Sequence, residues 1–362
     1  MDAEVMVRQV DALAGDIRAA TGRFDERART LLDPAGWAQV ERVYLTGDGD
    51  SYHAACATEM AFESIGGVAC EPLSAMRFAH YGAEWMRPAA PGRVLVIAIS
   101  ASGGTERVVE AVRAARRYGA LTVAVTGTPG SPLTRVADHT LLVDLPDTEP
   151  SPGIRTYQAS LLGLLLIALQ VGRASRPEIT RNAAREADAL REELVVLADQ
   201  VDATAKAIKQ ECRRVADLVA DAPVMEMLGS GPSYGTALFA AAKMVEGSGV
   251  FAVGQDLEEW GHVERLAYPD DMPLFVIAPP GRSHDKATEV IARAHELGRR
   301  VIAVTSRGDT AAAAHAHAHA VLPVHGQVRE ELSPLLYHLF AGYVACFVAQ
   351  RLGRLPFQTH RF

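Results

Sequence analysis

The sequence predicts an α/β protein made of two tandem domains of one type, each a mostly parallel sheet flanked by helices. Length, an internal repeat and the texture of the apolar runs carry that prediction. A chain of 362 residues is longer than the ~250–300 residues over which a single hydrophobic core keeps growing. Leu45-Thr-Gly-Asp-Gly-Asp-Ser51-Tyr52 and Met227-Leu-Gly-Ser-Gly-Pro-Ser233-Tyr234 align Gly47 with Gly229, Gly49 with Gly231, Ser51 with Ser233 and Tyr52 with Tyr234, all at an offset of 182. Arg93–Ser100 then pairs with Met272–Pro279, and Arg117–Thr126 with Leu297–Thr305, so the order holds over roughly 75 residues in each copy.

In the first copy, residues 42–46, 93–100, 121–127 and 139–145 read as strands. Each is a short, nearly continuous apolar run, the texture of a strand covered by helices on both faces. Thr105–Tyr118 has helical spacing, and no Asn-Gly or Asp-Gly hairpin turn joins neighbouring strands, so the crossovers are helical and the sheet parallel. The run Ala159–Val171, broken by Gln170 and closed at Arg173, is shorter than the ~20 residues of a membrane span and reads as a buried core helix. Residues 176–220 read as charged helix with one apolar face of Leu190, Leu194, Leu197, Val201 and Ile208. The boundary is set in that stretch: a first domain at 1–190 with an N-terminal helix, and a second at 191–362 with a C-terminal tail. In the second copy 224–228, 274–279, 300–305 and 320–324 read as strands, with Asp285–Leu297 as a helix.

A net charge of −8 disfavours a nucleic-acid partner, which needs a basic face to release counterions. Cys56, Cys70, Cys212 and Cys346 are far apart, the wrong spacing for a zinc ribbon, a dithiol pair or a disulfide scaffold. The opening Met1-Asp-Ala-Glu-Val lacks the basic and apolar regions of a signal peptide. The expectation is a cytoplasmic protein with no membrane partner.

Ligands of open parallel sheets sit at the carboxyl ends of the strands, so the loops there are the candidates. Ser100-Ala101-Ser102-Gly103-Gly104-Thr105 follows a strand and opens a helix. Its glycines admit a close ligand, its amides and the helix dipole attract negative charge, and its hydroxyls donate to phosphate oxygens. The bland alternative is simple helix capping. In the second copy, Pro279-Pro280-Gly281-Arg282-Ser283-His284 has lost the hydroxyls and two N–H donors, so one anion cradle is expected and not two.

Gly231-Pro-Ser233-Tyr-Gly235 matches the G-x-S-x-G pattern of a nucleophile elbow. Its counterpart Gly49-Asp-Ser51-Tyr52-His53 makes the serine a feature of the repeat instead. The displaced third glycine also makes a poor dinucleotide fingerprint. Lys243-Met-Val-Glu246 places an amine and a carboxylate on one helix face. Two readings stand: a surface ion pair, or a partly buried pair whose carboxylate suits general base work. His262, in Glu258-Glu259-Trp260-Gly261-His262, is equally open between structural and catalytic roles. His315, His317 and His319 alternate in the way metal ligands on one face of a strand do, but no acid or cysteine is near in the sequence, and a solvated junction is expected.

Together these motifs resemble the sugar isomerase (SIS) domain family in its two-domain form, over about residues 25–355. That form includes the isomerase half of glucosamine-6-phosphate synthase, fructosamine-6-phosphate deglycases and amino-sugar-phosphate deaminase/isomerases. The resemblance implies a phosphate loop at Ser100, Ser102 and Thr105, with Ser51 also on the phosphate and Gly49, Tyr52 and Ser233 as further substrate-binding residues. It implies that Glu246 moves a proton between C1 and C2, that Lys243 steadies developing negative charge, and that His262 serves ring opening. It implies no metal and no organic cofactor, and a homodimer or higher homo-oligomer. The expected function is an amino-sugar-phosphate deaminase/isomerase or fructosamine-6-phosphate deglycase. The alternatives are a simple aldose–ketose phosphosugar isomerase and a non-catalytic sugar-phosphate-binding regulator. Two departures stand out: His262-Val263-Glu264 replaces the family's His-Gly-Pro, and Leu355–Phe362 has no lysine where the synthase forms a Schiff base. No glutaminase domain precedes the first copy, so glutamine-fed synthesis is not expected.

Overall fold

The computed structural model describes residues 2–86, 90–175, 180–311 and 317–358. Ten strands form two five-stranded sheets, parallel throughout. The first holds β1 (Arg42–Gly47), β2 (Ala69–Ser74), β3 (Val94–Ile99), β4 (Leu121–Thr126) and β5 (His139–Leu142), ordered β2-β1-β3-β4-β5. The second holds β6 (Val224–Leu228), β7 (Phe251–Gln255), β8 (Pro273–Ala278), β9 (Arg300–Ser306) and β10 (Ala320–Val324), ordered β7-β6-β8-β9-β10. The two orders are the same, so the repeat read from the sequence is a repeat of topology.

The principal helices are α1 (Glu4–Arg29), α2 (Asp50–Ser64), α3 (Glu106–Arg117), α4 (Arg155–Ser175), α5 (Thr180–Val219), α6 (Pro232–Ser248), α7 (Leu257–His262), α8 (His284–Glu296) and α9 (Leu339–Arg351). Two compact units result. One comprises Gly15–Asp147 and Thr156–Val196, with the first sheet; the other comprises Met1–Ala14, Thr148–Arg155 and Leu197–Phe362, with the second. The opening turns of α1 therefore pack in the second sheet's unit, where Met6 abuts Gly247 and Val10 abuts Gly342.

Central strands are sealed on both faces. Val96 and Ala98 of β3 meet Val108 and Val112 of α3, and Leu274 and Val276 of β8 meet Val290 and Ile291 of α8. Each of the valines, the leucine and the isoleucine contributes about 1.5–3 kcal/mol by leaving water. Four strands per half were expected, and β2 and β7 are the additions. Both are edge strands with partial cover, and Pro72 and Gly254 interrupt their apolar character. Proline fits a strand only where an N–H has no ladder partner, and edges supply such places.

The 159–171 run lies inside the longer α4, which is long and apolar enough to cross a membrane, yet 89% of that window is buried within the protein. Along α5, Leu194, Leu197, Val201 and Ile208 are all buried, as the periodicity requires, while the Leu190 side chain lies outside the described residues. All four cysteines are free and buried, and burial pushes the Cys56 thiol up to about 11 and the Cys346 thiol up to about 12.

Candidate functional site

Both sheets reverse direction at one place: the chain leaves β1 toward β2 and returns past it to β3, and the same happens at β6 and β8. Loops part there at the strands' carboxyl ends, which makes the crevice where doubly wound sheets bind ligands.

In the first unit the loops after β1 and β3 meet at this point. Gly47 approaches so closely that a Cβ on it would stand 2.7 Å from Ser51 Cβ and 3.0 Å from the Ile99 carbonyl. Gly49 opens α2 at φ 54°, ψ −129°, a conformation that favours glycine. Ser51 and Tyr52 follow it on the first turn, half-buried, and the Asp48 carboxylate accepts the Ala75 N–H at 3.2 Å, tying the turn to the end of β2.

The 100–105 loop is built from its own hydroxyls. Gly103 N–H donates to the buried Ser100 Oγ (3.1 Å), Ser100 Oγ and Thr105 Oγ1 share a hydrogen bond of 3.2 Å, and Gly104 N–H donates to Ser102 Oγ (3.2 Å). Thr105 is the N-cap residue of α3, yet its side chain makes no capping hydrogen bond. The bland capping reading therefore does not describe this hydroxyl. The first amides of α3 have no intrahelical acceptor, and Ser102, Gly104 and Thr105 are exposed beside them. Neutral hydroxyls and free amides at a helix N-terminus are the kind of donors that suit an oxyanion, whatever the net charge of −8. Sequence reasoning missed Ser131, whose buried Oγ lacks a hydrogen-bond partner and packs against Gly103. The signal was present in the Gly127-Thr-Pro-Gly-Ser131 loop after β4, which faces the same crevice.

In the second unit the turn geometry is conserved and the chemistry is not. Gly231 opens α6 at φ 57°, ψ −131°, within three degrees of Gly49. Leu257 N–H donates to Ser230 Oγ (3.3 Å) at the positions matching Ala75 and Asp48. Ser233 is only 2% exposed, which does not suit a nucleophile presented to substrate. The counterpart of the hydroxyl loop is filled by the protein's own carboxylate: Arg282 N–H donates to Glu330 at 3.1 Å, and a Cβ on Gly281 would stand 2.4 Å from the Glu330 carboxyl carbon.

Lys243 and Glu246 lie near the far end of α6. The Lys243 side chain is fully buried, its Nζ donates to Glu246 Oε2 at 2.5 Å and sits 5.0 Å from the centre of the Phe239 ring, while Glu246 is 31% exposed. This favours the buried-pair reading over the surface one. Their counterparts in the first copy are Ala61 and Ser64, so the pair belongs to the second copy alone. Ser233, ten residues earlier on the same helix, is about 15 Å away along the axis.

His262 is separate from that pair. It ends α7, pairs with Glu258 at 3.2 Å, and faces a groove of about 410 Å³ whose wall includes Arg265, Lys286 and Glu289. Lys286 bonds Glu258 at 2.7 Å and holds that carboxylate below the usual range. The buried Trp260 anchors α7 by donating to Glu226 at 3.0 Å. Burial pushes the Glu226 carboxyl up, against that hydrogen bond and the pull of Arg299. Where the resemblance expects Gly-Pro after the histidine, Val263 closes α7 and Arg299 takes over the turn. This buried guanidinium donates to the carbonyls of Glu264 (3.2 Å), Ala267 (2.8 Å), Pro269 (2.7 Å) and Asp270 (3.1 Å).

Among the described residues no group of three or more His, Cys, Asp or Glu is placed to hold a metal. His315 and the last four residues of the tail, 359–362, lie outside the described residues; His319 accepts the Val301 N–H through Nδ1 at 3.1 Å.

The chain is 28% identical over 332 residues to the isomerizing glutamine–fructose-6-phosphate aminotransferase of Methanothermobacter thermautotrophicus, covering 92% of this chain and 52% of that protein. It spans about half the length of the curated relatives it matches. Among solved structures, the C-terminal domain of glucosamine-fructose-6-phosphate aminotransferase from Francisella tularensis superimposes with a TM-score of 0.80 at 16% identity, covering 97% of each chain. Tagatose-6-phosphate ketose/aldose isomerase from Escherichia coli gives 0.77 at 16% identity, covering 98% of this chain and 94% of that one. Glucosamine-6-phosphate deaminase from Thermotoga maritima gives 0.71 at 17%, with 98% and 96% covered. At such identities the likeness establishes the fold. The SIS domain profile matches residues 37–170 and 219–346, once in each copy, and the chain belongs to the SIS domain family.

Proposed function

We propose that the chain is an enzyme that moves a proton between C1 and C2 of a phosphorylated sugar through an enediol or enolamine. The substrate class is an amino-sugar phosphate or fructosamine 6-phosphate, and the reaction a deaminating isomerisation or deglycation. One observation carries the reading: the copies have divided their chemistry. The first keeps the hydroxyl loop, and the second alone has a buried lysine on a carboxylate.

The phosphate is assigned to Ser51, Ser100, Ser102 and Thr105, with Gly49 and Tyr52 beside it. Glu246 takes and returns the proton, a role typically contributing 10²–10⁴-fold. Lys243, which donates to Glu246 at 2.5 Å, steadies the oxyanion that forms as the proton leaves. His262, exposed in its groove and oriented by Glu258, is assigned ring opening. When the substrate carries an amine at C1 or C2, return of the proton to the neighbouring carbon turns the enolamine into an imine, and addition of water to that C=N bond releases the free amine and leaves the carbonyl. Ser233, the counterpart of Ser51, is kept among the further substrate-binding residues. Support for an amino-sugar substrate comes from the names of the relatives, several of which act on glucosamine or fructose phosphates.

The test is an array of phosphorylated sugars, including glucosamine 6-phosphate, fructose 6-phosphate and fructosamine 6-phosphate, assayed for released amine and isomerised product. Turnover of an amine-bearing member is expected. Turnover of ketoses or aldoses alone would reassign the chain as a simple isomerase, and binding without turnover throughout would leave a sugar-phosphate-binding regulator.

A further inference from the structure

His262 has two ring nitrogens, and one of them is engaged. Nε2 lies 3.2 Å from Glu258 Oε1, and no other hydrogen bond or ion pair reaches the ring among the described residues. Glu258 is held below the usual carboxylate range, first by its hydrogen bond from Lys286, and so is ionised at neutral pH. An ionised carboxylate only accepts hydrogen bonds. In the neutral imidazole the proton therefore sits on Nε2, and Nδ1 carries the lone pair.

Lys286 holds the other end of this contact. Its Nζ lies 2.7 Å from Glu258 Oε2 and 3.2 Å from Glu289 Oε1, so one ammonium on α8 ties the acid of α7 to an acid of its own helix. With Oε2 taken by the lysine, Oε1 is left for the histidine. The first copy lacks this arrangement. His80 is the counterpart of His262 at the offset of 182, but Met76 stands where the second copy has Glu258. His80 Nε2 instead meets Glu110 of α3 at 3.1 Å, and Arg107, the counterpart of Lys286, binds that same carboxylate. A histidine on a carboxylate is thus common to both copies. The lysine-anchored acid on the histidine's own helix belongs only to the copy that carries Lys243 and Glu246. His262 and Glu258 are exposed, so the competing reading is a plain surface network in which Lys286 has no effect on the ring.

We infer that Lys286 is a positioning residue: through Glu258 it fixes His262 as the Nε2–H tautomer and leaves Nδ1 as the nitrogen that exchanges protons with the sugar. The inference rests on the assignment of His262 to ring opening. In that step Nδ1 takes the proton of the anomeric hydroxyl, and the carbonyl forms as the bond from that carbon to the ring oxygen breaks. Nδ1–H then gives the proton to the ring oxygen, so the histidine ends as it began.

Nitrogen-15 NMR of the full chain, labelled at histidine and held at alkaline pH where imidazoles are neutral, reads the tautomer directly. The wild type should show Nε2 protonated and Nδ1 bare. Lys286→Met should shift the ring toward a mixture by up to about fivefold, the weight of an exposed charge pair in an equilibrium, and Lys286→Arg should restore it. Glu258→Gln, whose amide donates as well as accepts, is the second probe and should also give a mixture. Turnover is then compared on the best fructose-type phosphate of the array and on its 5-deoxy analogue, which has no hydroxyl to close the ring. Lys286→Met should lower kcat on the first relative to the second, and His262→Gln should do so more strongly. A wild-type ring with its proton on Nδ1, or a Lys286→Met ring indistinguishable from the wild type's, would overturn the inference by itself. If the tautomers are as expected but His262→Gln slows both sugars alike, the ring-opening reading fails and takes the role of Nδ1 with it.

Discussion

In the Ser100–Thr105 loop, Gly103 is the glycine least able to accept a side chain. Its φ is 62°, and a Cβ would stand 2.0 Å from Ser131 Oγ, 2.5 Å from Ser131 Cβ and 2.9 Å from Thr126 Oγ1. Because Ser131 Cβ is among the clashing atoms, rotating the hydroxyl does not clear the space. In Gly103→Ala the left-handed backbone costs about 1–2 kcal/mol and the overpacking about 1–3 kcal/mol. The sum is a loss of about 2–5 kcal/mol, relieved only by moving the loop off Ser131. That movement breaks the Gly103 N–H bond to Ser100 Oγ, so phosphate affinity should fall along with stability. Gly104→Ala is the control: its φ is not left-handed and the nearest atom is Ser102 Oγ at 3.7 Å, so stability should hold within about 0.5 kcal/mol. Urea denaturation of both variants, with phosphate titration of each, makes the comparison. Equal stability of the two would refute the packing argument, and a Gly103→Ala protein with unchanged phosphate affinity would refute the loop as the anion site.

Other consequences follow from single contacts. Ser100→Ala removes the hydroxyl that joins Gly103 to Thr105; losing a hydrogen bond to a charged phosphate costs about 1.5–3 kcal/mol, so binding measured by calorimetry should weaken roughly 10- to 100-fold. Trp260→Phe leaves the Glu226 carboxylate without its indole donor inside the protein, and denaturation should show a loss of about 1–3 kcal/mol. Glu59 is pushed up to about 7 by burial, with repulsion from Glu63 and Glu71 adding to it. The fold therefore prefers the protonated acid: its stabilising contribution is full below the ordinary value of 4.5 and is lost as pH rises through about 7. Glu59→Gln should remove that decline, gaining on the wild type at alkaline pH and not at acidic pH; parallel stability curves would exclude it.

The duplication and the positions of eight strands were legible because glycine turns and continuous apolar runs are local signals. Gly49 and Gly231 were recognisable as equivalent from sequence, and their backbone angles agree within three degrees. The edge strands β2 and β7 were not legible, since half-covered strands lose the apolar continuity that marks the others. Ser131 was missed because its place beside Gly103 depends on strand order rather than on a motif of its own. The separation of His262 from Lys243 and Glu246 was equally hidden: sixteen residues of chain include the end of α6, all of β7 and α7, and spacing gives no distance across them. The carboxylate of Glu330 on the Arg282 amide replaces the lost hydroxyl set by a contact between residues 48 apart, beyond the reach of any local pattern.

The assignment of Glu246 as the base is the centre of this account, and deuterium incorporation tests it. Wild type and Glu246→Gln are incubated in deuterated water with the best phosphosugar from the array, and exchange at C1 and C2 is followed by NMR. The amide keeps an acceptor for Lys243, so the fold and the inorganic phosphate affinity should persist while exchange falls by about 10²–10⁴-fold. Exchange in Glu246→Gln at the wild-type rate would contradict the assignment.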